Sequence, residues 1–581
     1  MKAFKTLLPY LRKYYLWYIA GIISLIITDG AQIYVPGIIK QGVDIVASGD
    51  FHIQQMRDPV IKLCITACII GISRFGWRFF IQGAARRIEY ELRDRLFVHL
   101  STLSSTFYSK NKTGDLMSRF TNDMEAIRMA SSMAVVSLTD GIFMTALILS
   151  ILIARDARIA LITIAPLPII TVLILFMGKA MGERFKKVQE GFSALSDTVQ
   201  DSFSGIRVIK TFVQERAFSK LFLDRNKEYV RSNMSLMRIW GTFFPIVAFF
   251  SGLTGAIFFF LGGNAVMEGS FTAGDFTAFF SYLQMIIWPM MGMGFSVNML
   301  QRGAVSLGRV NAILSEKPDI VSPPHPVQEK PEGHITFDRL SFTYPGASEP
   351  SLKDVSLDIP AGSVVGILGR TGSGKSTLVK CIPRLLDPPH GSLFIDGRDV
   401  HAYDLSVLRS SMGTVMQDIF LFSESIRENI AFATPQLPEE RVKFLTDVST
   451  LSRDLAYFPQ GLSTVIGERG LSLSGGQRQR VALSRALAVD PSILILDDTF
   501  SAVDTETENA ILQGLKDFFE GRTVILISHR ISTLKTADFI VVMEQGRITH
   551  SGTHAELLSK SKFYREIYDL QRIEEKIEGR I

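Results

Sequence analysis

The chain has 581 residues, of which 47% are hydrophobic and 20% are charged, and its mean hydropathy is +0.22. Such a composition is too apolar for an ordinary water-soluble protein, and the length allows several domains. The three cysteines, Cys64, Cys68 and Cys381, give neither a disulfide framework nor a metal-binding pattern. The formal net charge of +5 lies mainly in predicted loops, so it indicates membrane topology and predicts no nucleic-acid partner.

Apolar residues are concentrated before residue 300, in six stretches that are long enough to cross a membrane. About 20 helical residues span the hydrocarbon core of a bilayer. A helix buried in a soluble core is the alternative for any one stretch, but six of them are hard to bury in one soluble core. The predicted spans are Trp17 to Ile39, Val60 to Gln82, Met133 to Ala154, Ile159 to Met181, Thr242 to Val266 and Phe276 to Leu300.

The basic residues between these stretches predict their orientation. Residues 83–132 carry eight Lys or Arg and residues 179–238 carry twelve, whereas 49–58 holds only Arg57 and 264–275 holds none. Cytoplasmic loops carry the excess of Lys and Arg. We therefore expect a multi-pass protein of the inner (cytoplasmic) membrane with both termini in the cytoplasm. The turn with Arg155 and Arg158 departs from this pattern.

Composition also divides the chain into domains. Residues 1–15 are basic and aromatic, which predicts an uncleaved elbow helix on the inner leaflet. Residues 16–312 form the transmembrane domain, whose two long basic segments are predicted to be helical extensions of the spans. The proline-rich stretch 313–332 predicts a semi-rigid linker. A second domain is expected at 333–570, followed by a tail at 571–581.

A phosphate-binding loop opens the second domain. The sequence Gly369 to Ser376 follows the apolar run Val364 to Leu368 and precedes a helical pattern, so it predicts a strand, a glycine-rich loop and a helix start. In such loops backbone N–H groups converge on phosphates, Lys375 reaches the β- and γ-phosphates, and the Ser376 hydroxyl is a ligand of Mg²⁺. A glycine-rich turn with a chance Lys-Ser pair is the alternative.

Two further apolar strands end in polar residues. Ile493 to Leu496 leads to Asp497, which is placed like the carboxylate that holds Mg²⁺ in P-loop ATPases, and Asp498 follows it. Val524 to Ser528 leads to His529, where a side chain could contact a γ-phosphate. The motif Leu473 to Gln477, about a hundred residues after the loop, marks one class of ATPase among those that have such a loop.

In this order, the motifs of residues 333–570 resemble the nucleotide-binding domain of an ABC transporter, and the preceding spans resemble those of ABC exporters. The resemblance implies an all-α membrane domain of six transmembrane helices, followed by an α/β P-loop ATPase domain with a helical subdomain. It also implies that Tyr344 stacks on adenine and that Gln417 reaches Mg²⁺. The implied ATP-binding residues are Tyr344, Gly369, Arg370, Thr371, Gly372, Ser373, Gly374, Lys375, Ser376 and Thr377, and the implied Mg²⁺ ligands are Ser376, Gln417 and Asp497.

The resemblance further implies that two such chains act together. Ser474, Gly475, Gly476 and Gln477 would complete the ATP site of the opposing domain, so that two domains enclose two ATP molecules. The loop from Thr464 to Gly470 resembles the exporter-type loop upstream of this signature, and Ser501 to Asp504 the loop that crosses between domains. Short helices at the tips of the basic segments would dock on the ATPase near Gln417 and transmit its closure. The expected partners are a second half-transporter, membrane lipids and a hydrophobic substrate.

One position departs from the family pattern. The residue after the Mg²⁺ carboxylate is usually a glutamate that polarises the attacking water, whereas this chain has Asp498. Loss of one methylene draws the carboxylate back by about 1 to 1.5 Å, and a base must lie within about 2.6 to 3.2 Å of the group it serves. With Asp498, His529 and Gln417 as the catalytic residues, hydrolysis in this site should be slow. We favour one half of a heterodimer with unequal sites; a homodimer in which Asp498 still works is the alternative.

The substrate is less well defined by the sequence. Charged or polar residues in or near the spans are Asp29, Arg74, Arg78, Asp140 and Gln284, and such residues usually face a cavity or pair with one another. Many phenylalanines suit an apolar or amphipathic ligand, but lipid-facing packing uses them equally. Export or flipping of drugs or lipids is the favoured function. The alternatives are a homodimeric lipid flippase and a regulatory half that binds ATP and hydrolyses little.

Overall fold

The computed structural model describes residues 2–49, 52–467 and 473–577. The chain forms two compact units. The first comprises Met1–Thr102 and Asn111–Glu316, and the second comprises Leu103–Lys110 and Lys317–Ile581. The unit boundary follows the end of a long helix at Leu314, two residues inside the predicted linker.

The first unit is entirely helical in its described residues. Short 3₁₀ turns lie at Lys2–Thr6 and Ile53–Met56, and π-helical turns at Arg78–Gln82 and Arg119–Asp123. The α-helices of this unit are α1 (Leu8–Lys13), α2 (Tyr15–Ala47), α3 (Arg57–Trp77), α4 (Gly83–Thr102), α6 (Thr113–Ser118), α7 (Met124–Ser131), α8 (Met133–Arg155), α9 (Ala157–Ile164), α10 (Leu167–Ser204), α11 (Ile206–Thr211), α12 (Glu215–Met267), α13 (Ala273–Met285) and α14 (Ile287–Leu314); α5 (Ser105–Lys110) belongs to the second unit.

Five of the six predicted spans coincide with helical segments that are long and apolar enough to cross a membrane, among the residues that the structure describes. These segments are Tyr15–Ala47, Ile53–Thr102, Thr113–Arg155, Glu215–Met267 and Ala273–Leu314. The remaining predicted span, the fourth in chain order, is Ile159 to Met181; it begins in the shorter apolar stretch Ala157–Ile169 and continues in α10. Proline cannot donate a backbone hydrogen bond, and Pro166 lies where α9 ends and α10 begins.

Two very long helices carry the basic segments. The 53-residue helix α12 runs from the basic stretch after Gln214 into an apolar span without a break. The 38-residue helix α10 begins in an apolar span and continues into a basic segment. At 1.5 Å per residue, α12 is about 80 Å long, far more than the hydrocarbon core of a bilayer requires. The basic segments are therefore helical continuations of the spans, as the sequence predicts.

The second unit contains two sheets with helices around them. Its strands are β1 (Ile335–Phe342), β2 (Leu352–Ile359), β3 (Val364–Gly369), β4 (Leu393–Ile395), β5 (Arg398–Asp399), β6 (Met412–Val415), β7 (Ile493–Asp497), β8 (Thr523–Ile527), β9 (Phe539–Glu544) and β10 (Arg547–Gly552). Its remaining helices are α15 (Lys375–Cys381), α16 (Leu405–Ser410), α17 (Ile426–Ile430), α18 (Glu439–Val448), α19 (Ser452–Leu455), α20 (Gly475–Ala488), α21 (Thr505–Phe519), α22 (Ile531–Leu534), α23 (His554–Lys560) and α24 (Lys562–Ile577).

The order of the strands brings the predicted motifs together. The larger sheet has the order β10-β9-β3-β8-β7-β6, and its β9, β3, β8, β7 and β6 run parallel. Strands β7 and β8 are buried at every position, as expected for strands covered on both faces. Because β3, β8 and β7 are neighbours, the polar residues that follow their carboxyl ends lie at one edge of the sheet.

The short helix α5 packs with the ATPase-like unit although it lies between α4 and α6 in sequence. The Ser105 hydroxyl donates a hydrogen bond to the Leu385 carbonyl at 2.6 Å. The Ser104 hydroxyl also donates to the Asp319 carboxylate at 3.3 Å. The resemblance predicts docking near Gln417, whereas the hydrogen bonds that the structure gives this segment are to Leu385 and Asp319.

A single helix crosses residue 571, where the C-terminal tail is predicted to begin. Helix α24 runs without a break from Lys562 to Ile577, so residues 571–577 of the expected tail are helical. Its Tyr564 is completely buried and hydrogen-bonds the ring of His554 at 2.7 Å. The last described turns therefore continue a packed element.

Candidate functional site

One cavity in the second unit collects the residues that the sequence singled out. Its volume is about 720 Å³. It is lined by the glycine-rich loop and by the residues that follow β6, β7 and β8. The predicted residues that it brings together are Tyr344, Thr371, Gly372, Ser373, Gly374, Lys375, Ser376, Thr377, Gln417, Asp497, Asp498 and His529.

The loop needs its glycines for geometric reasons. Gly374 has a φ of +97°, in the left-handed region that favours glycine, and a Cβ there would lie 2.8 Å from the Ser351 carbonyl. A Cβ on Gly369 would lie 2.4 Å from the Met543 carbonyl. The loop is also fixed from outside, because the Gly546 N–H donates to the Ser373 carbonyl at 3.1 Å. The backbone is therefore held at the start of α15, where N–H groups favour an anion.

Lys375 is folded back over its own loop. Its Nζ donates to the carbonyls of Gly369 at 2.8 Å and Arg370 at 3.0 Å. Burial lowers the pKa of Lys375, whereas the charges of Asp497 and Asp498 raise it, and burial prevails. The Lys375 ammonium has three N–H donors, and the two carbonyls accept from two of them. When phosphate binds, these donors can turn to its oxygens, so the charge always has hydrogen-bond partners.

Asp497 has the environment of a metal ligand. It is 2% exposed, and its Oδ2 has no hydrogen-bond partner among the described residues. Burial raises the pKa of Asp497, while a hydrogen bond from Ser376 and the charges of Lys380 and Lys375 oppose that shift. A buried carboxylate oxygen beside a hydroxyl is a hard oxygen donor set of the kind that Mg²⁺ prefers, so these residues fit that ion.

Asp498 adopts an unusual backbone conformation. Its φ is +53°, a left-handed value in which aspartate is enriched over most residues. Its N–H donates to the Ile527 carbonyl at 3.0 Å, and its own carbonyl accepts from the Ser501 hydroxyl at 3.0 Å and from Gln479 Nε2 at 3.3 Å. The backbone is thus tied on both sides, which restricts any adjustment that would move the short side chain forward.

His529 is positioned by a residue that the sequence did not reveal. Gln571, on α24, donates from Nε2 to the His529 carbonyl at 2.6 Å and accepts from the Ile531 N–H at 2.9 Å. These two bonds hold the backbone on both sides of Arg530. The Arg530 side chain in turn pairs with the buried Glu508, which also accepts a hydrogen bond from Thr533. The loop that carries His529 is therefore fixed by α21, α22 and α24.

Tyr344 lies at the mouth of the cavity. It is 37% exposed, and its hydroxyl hydrogen-bonds the Thr377 hydroxyl at 3.2 Å. Phe342 supports the ring edge-to-face, with 5.3 Å between ring centroids. Such a ring offers a face for stacking of a base, as the resemblance implies. Arg370, also implied by the resemblance, lies over the Phe563 ring at 5.4 Å.

The signature residues do not line this cavity. They form the start of α20, where Ser474 and Gln477 make a capping box: Ser474 Oγ accepts from the Gln477 N–H at 3.2 Å, and the Ser474 N–H donates to Gln477 Oε1 at 3.0 Å. A Cβ on Gly476 would lie 2.9 Å from the Ala502 carbonyl. The signature is thus an ordered helix start with its own anion-binding geometry.

Gln479 links this helix to the cavity and is the second residue that the sequence did not reveal. Besides its bond to the Asp498 carbonyl, its Nε2 donates to the Ser501 hydroxyl at 3.0 Å and its Oε1 accepts from the Ala502 N–H at 3.1 Å. It is 6% exposed. These hydrogen bonds connect α20 to Asp498 and to the loop Ser501 to Asp504, so a displacement of α20 would move both. Glu468, Arg469 and Gly470 of the predicted upstream loop lie outside the described residues.

In the membrane unit, three of the predicted polar residues come together. Asp29 of α2 hydrogen-bonds Asp140 of α8, and Arg74 of α3 is close enough to act on both charges. Asp29 is 1% exposed. Arg78 lies apart, over the Trp77 ring at 5.4 Å. Asp29 and Asp140 thus pair with each other within the unit, which is one of the two expected arrangements for charged residues at this depth.

Gln284 lines a separate apolar groove of about 990 Å³ in the same unit. The groove runs along α12 and includes one end of α13. Apart from Gln284, its polar side chains are Ser251 and Asn264. A groove of this size and polarity is in the range of sites for small apolar ligands. The residues that line it are Ala248, Ser251, Gly252, Gly255, Ala256, Phe259, Phe260, Gly263, Asn264, Met267, Phe280 and Gln284.

Two family models match the chain, one in each unit. Residues 18–290 match the model of the ABC transporter transmembrane region. Residues 352–501 match the family model described as ABC transporter. The two matches follow the same order as the predicted domains.

Curated relatives match over almost the whole length. The probable multidrug resistance ABC transporter ATP-binding/permease protein YheI of Bacillus subtilis is 36% identical over 97% of this chain and 97% of that protein. The multidrug resistance-like ATP-binding protein MdlA of Escherichia coli is 34% identical over 99% of this chain and 97% of that protein. The ATP-dependent lipid A-core flippase of Syntrophus aciditrophicus is 31% identical over 99% of this chain and 96% of that protein.

The fold also matches a solved structure. A bacterial Atm1-family ABC exporter with ATP bound superposes with a TM-score of 0.80, over 97% of this chain and 98% of that one. The two sequences are 24% identical, so the likeness establishes the arrangement of helices and strands. The expected fold class, a helical membrane domain followed by an ABC ATPase domain, is confirmed.

Proposed function

The chain belongs to the ABC transporters and couples an ATPase to transport, and from that premise we propose that it is one half of a heterodimeric exporter with unequal ATP sites. The single observation that carries the proposal is the tethered Asp498, which stands one methylene short of a glutamate in an otherwise complete cavity. The cytoplasmic membrane, with both termini and the ATPase on the cytoplasmic side, is the proposed location.

Within the cavity each residue has a proposed task in holding ATP. Tyr344 stacks on adenine, while the residues from Gly369 to Thr377 surround the phosphates, with Lys375 leaving its two carbonyls for the β- and γ-phosphates. Ser376, Gln417 and Asp497 would hold Mg²⁺. That ion, when bound, neutralises charge that develops on the phosphates. Asp498 and His529 face the γ-phosphate, the former as base and the latter as a polar contact.

Pairing of two chains is supported by the signature helix. Its capped start carries anion-binding N–H groups, but it does not line this chain's own nucleotide cavity. Helix starts of this kind bind phosphate when one is presented to them. A second ATPase domain that presents its own ATP to Ser474, Gly475, Gly476 and Gln477 would use them.

The tips of the two basic segments give further support. Helix α5 packs with this chain's own ATPase unit, whereas α11 groups with the membrane unit. Around α11 the apolar side chains of Val208, Phe212 and Val213 are exposed by 61%, 68% and 78%. Exposed apolar side chains on a cytoplasmic tip indicate a protein partner. The ATPase domain of the second half is the proposed partner.

Unequal sites follow from the state of Asp498. General base catalysis contributes about 10²- to 10⁴-fold and requires the base within hydrogen-bond reach of the water. Hydrogen bonds hold both the N–H and the carbonyl of Asp498, so the backbone cannot easily move the carboxylate forward by the missing methylene. Hydrolysis in this site would be slow, and the intact signature would complete a faster site on a partner that has the glutamate.

Hydrophobic or amphipathic molecules, drugs or lipids, are the proposed substrates. The relatives include proteins described as multidrug resistance transporters and as a lipid A-core flippase. The apolar groove on α12 suits either class.

Transport can be tested in everted membrane vesicles from the native host, made with and without added copies of this chain. We expect ATP-dependent accumulation of a fluorescent cationic amphiphile that increases with the chain and is abolished by Lys375→Ala. Accumulation that is unchanged by Lys375→Ala and by deletion of the gene would contradict the proposal.

A homodimeric flippase is the second candidate, and the lipid A-core flippase relative is the observation that favours it. The same vesicles, loaded with a fluorescent lipid that is accessible to a membrane-impermeant quencher in one leaflet only, measure flipping directly. ATP-dependent protection of the lipid, with no uptake of the amphiphile, would replace the drug assignment by the lipid one.

A further inference from the structure

A group of metal-binding side chains lies on the ATPase unit away from the nucleotide cavity. His390, Asp399 and His401 each offer a ligand atom, and these atoms lie within 4.8 Å of one another. The rings of His390 and His401 are 3.8 Å apart between centroids. None of the three residues lines the nucleotide cavity. Two imidazoles and a carboxylate form a donor set that occurs in zinc sites.

The local fold positions two of these side chains before any ion arrives. Asp399 accepts from the N–H groups of Gly391 at 2.6 Å and His401 at 2.8 Å, and its Oδ1 also contacts His401 Nδ1 at 2.6 Å. These hydrogen bonds hold the Asp399 carboxylate beside the His401 ring.

The third side chain is free to move. His390 is exposed, whereas the His401 side chain is only 10% exposed. Tetrahedral Zn²⁺ with bonds of about 2.0 to 2.1 Å keeps its ligand atoms roughly 3.3 Å apart. A rotation of the exposed His390 ring can close the remaining gap, and the open side leaves room for a water as fourth ligand.

The surrounding charges suit a divalent cation. Asp387 Oδ1 lies 3.4 Å from His401 Nε2, so a second carboxylate borders the group. Asp387 also pairs with Arg384 at 2.8 Å, which offsets part of that negative charge. The carboxylates of Asp399 and Asp387 supply negative charge beside the two imidazoles, and imidazole suits Zn²⁺ whereas Mg²⁺ prefers oxygen ligands.

We propose that His390, Asp399 and His401 form a binding site for one Zn²⁺ ion on the surface of the ATPase unit. The ion would tie the segment after Leu386 to the turn after β5. Leu385, just before that segment, accepts the hydrogen bond from Ser105 of α5. The site therefore lies within a few residues of the contact made by a segment that connects two membrane helices.

The test is a Zn²⁺ titration of the complete complex, purified through a peptide tag without histidines, stripped with EDTA and dialysed. An excess of Mg²⁺ occupies the oxygen ligands of the nucleotide cavity during the titration. We expect one high-affinity Zn²⁺ in the wild type that His390→Gln and Asp399→Asn each weaken tenfold or more. His390→Gln changes an exposed side chain, so a folding defect does not confuse the result.

His334→Gln is the matched control, because His334 also contacts a carboxylate, Asp358, at 2.9 Å but belongs to no group of three ligands in the described residues. It should leave Zn²⁺ binding unchanged. Co²⁺ in place of Zn²⁺ should give the visible absorption of a tetrahedral site in the wild type and not in His390→Gln. Equal Zn²⁺ affinity in wild type and His390→Gln, or an equal loss in His334→Gln, would overturn the proposal.

Discussion

The nucleotide cavity and the signature helix differ in how complete they are within one chain. The cavity gathers side chains from several segments, and Lys375 already holds two carbonyls in the place of phosphate. The signature helix is capped by its own residues and contributes nothing to the lining of that cavity. The difference agrees with the proposal that this chain supplies complementary halves of two ATP sites, and it allows the two halves to be altered separately.

The largest effect is expected from Ser474→Ala. This change removes the capping oxygen and the hydroxyl that would meet the partner's ATP, and loss of one such contact costs about 100-fold in turnover. ATP hydrolysis by the purified complex measures it. Ser425→Ala is the matched control, because Ser425 caps α17 with the same capping box. Equal losses of ATP hydrolysis in both variants would show that Ser474 acts only as a helix cap, and would contradict its proposed role in the partner's ATP site.

Asp498→Glu should increase hydrolysis in this chain's own site by about tenfold or more, since the longer side chain restores the reach of the base. Single-turnover hydrolysis measures this when the partner's site is disabled by Ser474→Ala in the same chain. Asp498→Asn should give the lowest rate. If Asp498→Glu is no faster than the wild type, Asp498 is already a competent base and the sites are equal.

Gln571→Ala should lower kcat by about threefold to tenfold and leave KM for ATP nearly unchanged, because it frees the backbone on both sides of Arg530 without touching nucleotide. Gln571→Glu keeps the acceptor for the Ile531 N–H and loses the donor to the His529 carbonyl. Its kcat should therefore lie between those of the wild type and Gln571→Ala. A fall in expression or melting temperature with an unchanged kcat would mean that Gln571 acts only on stability.

The smallest effect is a pH dependence that originates in Asp497. Because burial raises its pKa, this carboxylate takes up a proton at a higher pH than an ordinary aspartate, and its contribution to Mg²⁺ binding is lost as the pH falls through that raised value. The increase in ATP affinity caused by Mg²⁺ should therefore shrink in mild acid. Asp497→Asn should remove both the increase and its pH dependence. A Mg²⁺ effect that is constant with pH in the wild type would contradict the assignment.

Part of the cavity could be predicted from the sequence because several of its residues follow buried strands. Asp497 ends β7 and His529 follows β8, where an apolar run stops at a polar residue, and the strand order brings them together. Lys375 opens α15 after the glycine-rich loop that follows β3. Gln479 and Gln571 carry no such signal. Each is one polar residue in a helix, and its partners become neighbours only through tertiary packing.

The membrane unit shows the same limit. Hydropathy located the spans, because length and apolar content decide whether a helix can cross a bilayer. It did not predict the break of the fourth span at Pro166 or the π-helical turn at Arg78–Gln82, because these depend on local packing and on backbone hydrogen bonds. The pairing of Asp29 with Asp140 was one of two arrangements that the sequence left open.

The most direct test of unequal sites is the native mass of the complex, purified gently through a tag on this chain from the membranes of its own host. We predict a stable species that contains a different second subunit, whose sequence has glutamate at the position that corresponds to Asp498. A species of twice the chain mass of 64.7 kDa, with no second subunit, would contradict the account, since Asp498 would then serve both sites.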